Sequence, residues 1–384
     1  MDEARPGLET LMQHLGEEKG PWGAAAPPIV QTSTFVFQSL EEFDAGMVDF
    51  DSPKNAYTRV SNPTTQLAQR KIAAIEGSEA CLLTASGMGA ISAVIMANVA
   101  AGAHVVAVEN AYGPTYGFLE YLRRFGVETT WVDGRSTDEI VDACRAETSL
   151  IYLESPTSGL FRLQDLAAVA KFARARGITT AIDNTYAAGV TQKPIALGID
   201  YTMHTASKYF GGHSDVVAGA ICCSRERMER LRADENQLLG ATISPFNSWL
   251  ILRGLRTLTL RLEQSRRTAT ALAQALRGHR GVAEVIYPGL PDFEQAELFG
   301  KQMTAAGGLV TVFPKVRERA ELAPIFDRLR HFKLGVSWGG HESLAVPMSP
   351  HPKDWPAPRQ CVRFYCGLET TEDLVADAIR ALEI

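Results

Sequence analysis

The sequence predicts an α/β protein whose mainly parallel sheet is covered by helices on both faces. Short apolar runs recur from about residue 55 to 225: Ala80 to Thr84, His104 to Glu109, Ser149 to Glu154, Thr179 to Asp183 and Tyr201 to Thr205. Stretches with helical spacing alternate with them, which is the pattern of parallel strands joined by crossover helices. After about residue 240 this alternation stops and a long helical stretch begins.

Taken in order, residues 1 to about 50 mix short polar and Gly/Pro pieces and read as an arm. Asn62-Pro63 followed by Leu67, Ala68, Ile72 and Ile75, with Gly77 behind them, predicts a helix with a cap, proline in its first turn and glycine at its end. Gly87 to Val99 reads as a helix after the first strand. Ser136-Thr137-Asp138-Glu139 has the form of a capping box opening a helix through Cys144. Leu166, Val169, Ala170 and Ala173 have helical spacing, ended by Gly177. Trp249 to Arg277 reads as one long helix, with Gly254 as an interruption and Gly278 past its end. Thr370 to Ile384 is an amphipathic helix capped at Thr370 and Asp373. The expected division is an arm over 1–50, a large domain over 51–240 and a C-terminal domain over 241–384.

Composition narrows the function. With 384 residues, 46% hydrophobic and 21% charged, the chain is an ordinary globular one that needs no disulfide or metal staple. A net charge of −6 without a basic run argues against nucleic acid as the main partner. The six cysteines form no CxxC pair and have no histidine cluster near them, so zinc spacing is absent and no metal is expected. Several sit in apolar runs, which makes a reducing cytoplasm the expected compartment. The N-terminus lacks the blocks of a signal peptide. The most apolar stretch, Gly89 to Val108, contains Ser92, Asn98 and His104 and fits a buried helix and strand better than a membrane span.

The chemistry is concentrated at strand ends. In Ser207-Lys208-Tyr209-Phe210-Gly211-Gly212-His213, a lysine follows an apolar strand among hydroxyls and paired glycines. An aldehyde cofactor bound there as an imine would account for it, and the freed amine could act as a base at a substrate Cα; a solvated lysine after a strand is the competing reading. Asp183 ends an apolar strand, where a carboxylate can pair with a protonated pyridine nitrogen or simply cap the next turn. Ser86-Gly87-Met88-Gly89 runs from a strand into a helix, and its free amides suit a phosphate. The same stretch starts a GxGxxG motif but fails it at Ser92, and no suitably placed acid follows, which disfavours a dinucleotide. Tyr112, after the strand 104–109, could lie over a flat ring, and Arg59, beside Tyr57, suits a phosphate. An imine lysine, a ring-nitrogen carboxylate, a phosphate cradle and a stacking tyrosine together describe a site for pyridoxal 5′-phosphate (PLP). A chain that binds PLP without turnover is the alternative from outside enzymology, and it would not need the whole set.

These residues carry a resemblance to the PLP-dependent enzymes of cysteine and methionine metabolism. The matching stretches are Pro28 to Phe35, Tyr57-Thr58-Arg59, Ser61-Asn62-Pro63-Thr64, Ser86-Gly87-Met88, Asp183-Asn184-Thr185, Ser207-Lys208-Tyr209 and Gly212-His213-Ser214-Asp215. The resemblance implies the PLP-dependent transferase fold of type I, similar to aspartate aminotransferase. It implies a seven-stranded, mainly parallel sheet between helices and a smaller C-terminal α+β domain. It also implies that Lys208 joins the cofactor aldehyde and that Asp183 holds the pyridine nitrogen. Ser86, Gly87, Met88, Thr205 and Ser207 would hold the phosphate, and Tyr112 would stack on the ring. Tyr57 and Arg59 would reach the neighbouring subunit's site in a homotetramer built from two dimers. Arg363 would grip the substrate carboxylate, with Ser337 beside it. Within the family, Asp183 to Val190 and Ser337 to Leu344 look most like the cystathionine β-lyases. Members acting at Cγ often carry Glu where Val336 stands and Asn where Ser158 stands, so the resemblance leans towards α,β-elimination of a thiol from a sulfur amino acid. Elimination or replacement at Cγ, and a specialised biosynthetic reaction, are the alternatives. Neither His213 nor His341 receives a role.

Overall fold

The structure, a computed structural model, describes residues 6–18, 20–48 and 55–383. Residues 1–5, the expected arm boundary near 50 and Ile384 lie outside the described residues.

Seven strands form the first sheet: β1 (Ala80–Thr84), β2 (His104–Val108), β3 (Glu128–Val132), β4 (Thr148–Glu154), β5 (Thr179–Asp183), β6 (Tyr201–His204) and β7 (Gly219–Cys223). Their order is β1-β7-β6-β5-β4-β2-β3. The pairs from β3 through β6 are parallel, and only β7 runs against its neighbours β6 and β1. Every residue of β1, β2 and β7 is buried, as expected of strands covered on both faces. His104 sits inside the apolar run of β2 because both ring nitrogens are satisfied, Nδ1 by Thr148 Oγ1 at 2.7 Å and Nε2 by Thr130 Oγ1 at 2.9 Å.

A second sheet contains β8 (Val282–Ile286), β9 (Leu309–Pro314), β10 (Lys333–Leu334), β11 (Leu344–Met348) and β12 (Cys361–Tyr365), in the order β10-β11-β12-β9-β8. The helices Leu258–Leu276 and Thr371–Ala381 pack together against this sheet, with Leu272, Leu276, Leu374 and Ala378 in one apolar core with Val310 and Phe364.

Local sequence cues had mixed outcomes. The helix Pro63–Glu76 begins and ends as its sequence predicts: Asn62 Oδ1 accepts the Thr64 N–H at 3.0 Å, and Gly77 adopts φ +77°. The capping box at Ser136 does not form. Ser136 makes no side-chain cap, because Glu139 turns back to accept the amides of Asp133 at 3.0 Å and Gly134 at 3.2 Å. Thr370 likewise caps through no side-chain bond, and the last helix spans Thr371–Ala381. The single helix expected over Trp249 to Arg277 is two, Pro245–Leu255 and Leu258–Leu276. The break falls at Arg256-Thr257 rather than at Gly254. Gly254 lies inside the first helix and serves close packing there, since a Cβ would collide with the carbonyl oxygens of Phe210 and Gly211. Strands β3 and β7 and the helix Gly113–Leu122 complete the alternation without having been read individually.

Candidate active site

The carboxyl ends of β2, β4, β5 and β6 lie side by side and open on a cavity of about 370 Å³. This is where ligands gather in sheets of this kind. Tyr112, Asp183, Thr205, Lys208, Ser337 and Arg363 all line it. The first four come from segments at these strand ends, Arg363 from β12, and Ser337 from the chain before β11.

Asp183 closes β5 and is 7% exposed. Burial raises its pKa, while the amide and hydroxyl of Thr185 oppose that rise by donating to Oδ1. Thr185 Oγ1 also accepts the Thr205 N–H at 2.8 Å, so one hydroxyl ties the ends of β5 and β6 together. Beside Asp183 in register stands Glu154, the last residue of β4. It too is buried, and burial together with the Asp183 charge raises its pKa well above the ordinary carboxyl range. Its Oε2 accepts the Tyr112 N–H at 2.6 Å, which fixes where that tyrosine leaves β2. Sequence reasoning missed Glu154, although it carries the same cue as Asp183, an acid ending an apolar strand.

Lys208 Nζ contacts Ser337 Oγ and lies 5.7 Å from the Trp338 ring centre. Burial and the nearby Arg363 guanidinium lower its pKa to about 8, with Asp183 pulling the other way. Ser337 holds a left-handed φ of +90°, strain of a kind that persists where surrounding structure enforces it. Arg363 Nη2 donates to the Ser337 carbonyl at 3.3 Å, whereas its Nε is buried without a partner. Arg363 lines the cavity, so an acceptor entering it can meet the guanidinium.

Ser86, Gly87 and Met88 form the start of the helix Gly87–Met96, next to Thr205. Ser86 Oγ accepts the Gly89 N–H at 3.0 Å, so the amides of Gly87 and Met88 keep no intrahelical acceptor. Gly87 is required here, since a Cβ would overlap Thr205 Oγ1. Ser207 exchanges both its bonds with Ala218, accepting the amide at 3.0 Å and donating to the carbonyl at 3.2 Å. Tyr57 and Arg59 are not brought to this cavity. They line a separate one of about 850 Å³ with Phe35, Phe37 and Phe43, where Arg59 Nη1 donates to the Gln237 carbonyl at 3.2 Å. His213 Nδ1 meets the Gly211 carbonyl at 2.8 Å, and His341 Nδ1 stands 3.3 Å from Glu342 Oε2.

These residues fit PLP. An amine of lowered pKa suits the aldehyde, a buried carboxylate suits the ring nitrogen, and open helix-start amides beside the Thr205 hydroxyl suit the phosphate. Comparison with known proteins agrees. The family described as "Cys/Met metabolism PLP-dependent enzyme" matches residues 9–383. L-methionine gamma-lyase from Treponema denticola is 36% identical, covering 98% of this chain and 97% of the relative. A putative cystathionine beta-lyase from Rhizobium johnstonii is 34% identical, covering 97% and 95%. The crystal structure of metB from Corynebacterium glutamicum superposes with a TM-score of 0.90 at 32% identity, covering 98% of both chains. Sheet order, cavity chemistry and these likenesses together place the chain in the Cys/Met metabolism family of PLP-dependent enzymes, with fold type I and pyridoxal 5′-phosphate as its cofactor.

Proposed function

We propose that the protein is a C–S lyase that eliminates a thiol from Cβ of cystathionine or a related sulfur amino acid, giving the thiol, pyruvate and ammonia. The observation that carries this reading is a pairing across one residue. Ser337 receives Lys208 on its hydroxyl and Arg363 on its carbonyl, which puts a base and a carboxylate anchor on the same cavity.

In this reading the buried Arg363 Nε and its guanidinium take the substrate α-carboxylate and fix the Cα–H bond relative to Lys208. Lys208, its pKa lowered to about 8, removes the Cα proton more readily at neutral pH than a surface lysine would. PLP, bound beside Asp183, supplies the sink for the electron pair left on Cα. Burial pushes the Tyr112 phenol up, so it remains protonated at neutral pH and can give a proton to the departing sulfur. Glu154 keeps Tyr112 in place through its amide. Overall, one C–S bond breaks, and one water is consumed as the amino group is released.

Val336 and Ser158 line the cavity; the family resemblance implies that Cγ-acting members often carry Glu and Asn there, which leans towards chemistry at Cβ. The likeness to L-methionine gamma-lyase supports a second reading, elimination at Cγ, which needs a further proton from Cβ and yields α-ketobutyrate. Incubating holoenzyme with cystathionine, cysteine, methionine and O-acylated homoserines, and identifying each keto acid, separates the two. Pyruvate from cystathionine is expected; α-ketobutyrate from methionine or cystathionine as the main product would overturn the β-reading. The same proposal makes the working unit a homotetramer of two dimers, with Tyr57 and Arg59 serving the neighbouring subunit's cavity. Their place at an apolar cavity apart from their own chain's Lys208 supports this.

A further inference from the structure

We propose that Arg162 and Asp354 form a latch that positions the strap between β11 and β12, and through it the substrate-facing Met348 and Arg363. The strap spans residues 349–360. Met348, the last residue of β11, stands just before it, and Arg363 lies in β12 just after it; both line the cavity.

The tie runs between segments far apart in sequence. Arg162 Nη2 donates to both carboxylate oxygens of Asp354, at 2.7 and 2.9 Å, and its Nη1 reaches Glu109 at 3.3 Å and also Asp133. Arg135 adds a hydrogen bond to Asp354 at 2.7 Å and a bidentate pair of hydrogen bonds to Asp133 at 2.8 and 2.9 Å. Lys353 secures the strap again, its amide on Glu109 at 3.2 Å and its Nζ on the Trp131 carbonyl at 2.6 Å. Among the described residues, Glu109, Asp133 and Asp354 bring carboxylate oxygens within 4.8 Å of one another. Three cations face these three carboxylates, the guanidinium groups of Arg135 and Arg162 and the Lys353 ammonium, so the cluster reads as an ion-pair knot rather than a metal centre.

The knot is attached to the cavity wall on both sides. Arg162 is bonded through its backbone to Thr157, carbonyl to amide at 2.9 Å and amide to Thr157 Oγ1 at 3.0 Å. Thr157 begins the turn whose Ser158 and Gly159 line the cavity. Met348 packs on that turn so closely that a Cβ on Gly159 would lie 2.7 Å from Met348 Cε. Glu109 stands three residues before Tyr112. The Arg162 side chain is only 7% exposed. A guanidinium so enclosed holds its partners in one geometry, because losing one leaves a buried charge uncompensated. The wall made by the 157–159 turn and the strap's two ends is therefore set as a unit by Arg162 and Asp354, which act as positioning residues and need not touch the substrate.

The inference rests on this cavity being the substrate site, and the test separates the two. Asp354→Asn removes the charge at nearly constant volume. Steady-state kinetics with cystathionine should show KM raised about tenfold with kcat changed less than about twofold, the signature of lost uniform binding. The cofactor absorbance should be unchanged. Hydrogen exchange of the 349–360 amides should quicken, and Asp354→Glu should recover part of the KM. Unchanged KM or unchanged strap exchange would overturn the latch, as would a joint fall of kcat and cofactor retention. If Asp354→Asn does not fold, Arg135→Gln, which removes the outer guanidinium alone, should shift KM and exchange in the same direction; no shift in either overturns the latch. Wild-type protein that forms no keto acid from any sulfur amino acid counts against the proposed function instead, and the exchange measurement then decides the latch alone.

Discussion

Lys208 is held between opposing influences: burial and Arg363 lower its pKa to about 8, while Asp183 pulls it up. Only the neutral amine attacks an aldehyde, so the rate at which apoprotein captures PLP should rise with pH and level off above about 8. A lysine near the ordinary value of about 10.4 would keep rising well beyond that point. Replacing Arg363 by Met removes a cation beside the ammonium, which should move the inflection upward; stopped-flow absorbance on the two proteins measures both effects. An inflection that stays in place would mean that Arg363 does not act on Lys208 electrostatically. At this scale, residues whose chemistry is announced by close neighbours in sequence were readable. Lys208 stands between hydroxyls and paired glycines, and Gly87 at the mouth of a helix. Glu154 shares Asp183's cue, an acid closing an apolar strand, but its role depends on a partner 42 residues away, the Tyr112 amide, which no neighbour in sequence announces. The pairing of Lys208 with Ser337 spans 129 residues and was equally hidden.

Elements show the same division between local and distant causes. The helix Pro63–Glu76 has its cap, its proline and its terminal glycine within its own sequence, and forms as read. The box at Ser136 fails because Glu139 finds better donors in the preceding turn, and the long C-terminal helix breaks where Arg261 Nη2 takes the Gly254 carbonyl at 2.6 Å. The direction of β7 also escaped the sequence, since nothing in its composition says that it runs antiparallel. One element-level contact should be costly to lose. Asp377, fully buried in the helix Thr371–Ala381, accepts the amides of Arg330 at 2.9 Å, His331 at 2.8 Å and Phe332 at 3.1 Å. Asp377→Ala should lower the unfolding free energy by about 2–5 kcal/mol in urea, because it strands those donors. A loss under about 1 kcal/mol would show that water replaces the carboxylate there. Burial raises the Asp377 pKa, but the three amides and Arg380 outweigh it and leave the group depressed. Its contribution is therefore complete above about pH 4, the unfolded value, and disappears as pH falls through the lower folded one.

The whole molecule is organised by one sheet whose strand ends line the cavity holding Asp183 and Lys208, and a second sheet that brings Met348 and Arg363 to the same cavity. Alternating strands and helices made most of the first sheet legible, because its strands are short apolar runs bounded by glycine or polar residues, the half-exposed β3 excepted. The second sheet was less so: β10 has two residues and β8 is half exposed, so neither leaves a periodic trace. No helix of the described residues is long and apolar enough to cross a membrane. The account as a whole depends on which amine carries the cofactor. Reducing the PLP-loaded protein with borohydride and mapping its peptides should place the pyridoxyl group on Lys208. The Lys208→Ala protein should carry none there and should lose turnover by at least about 10²-fold. A label on another lysine in the wild-type protein, or a Lys208→Ala variant that releases keto acid at the wild-type rate, would contradict it.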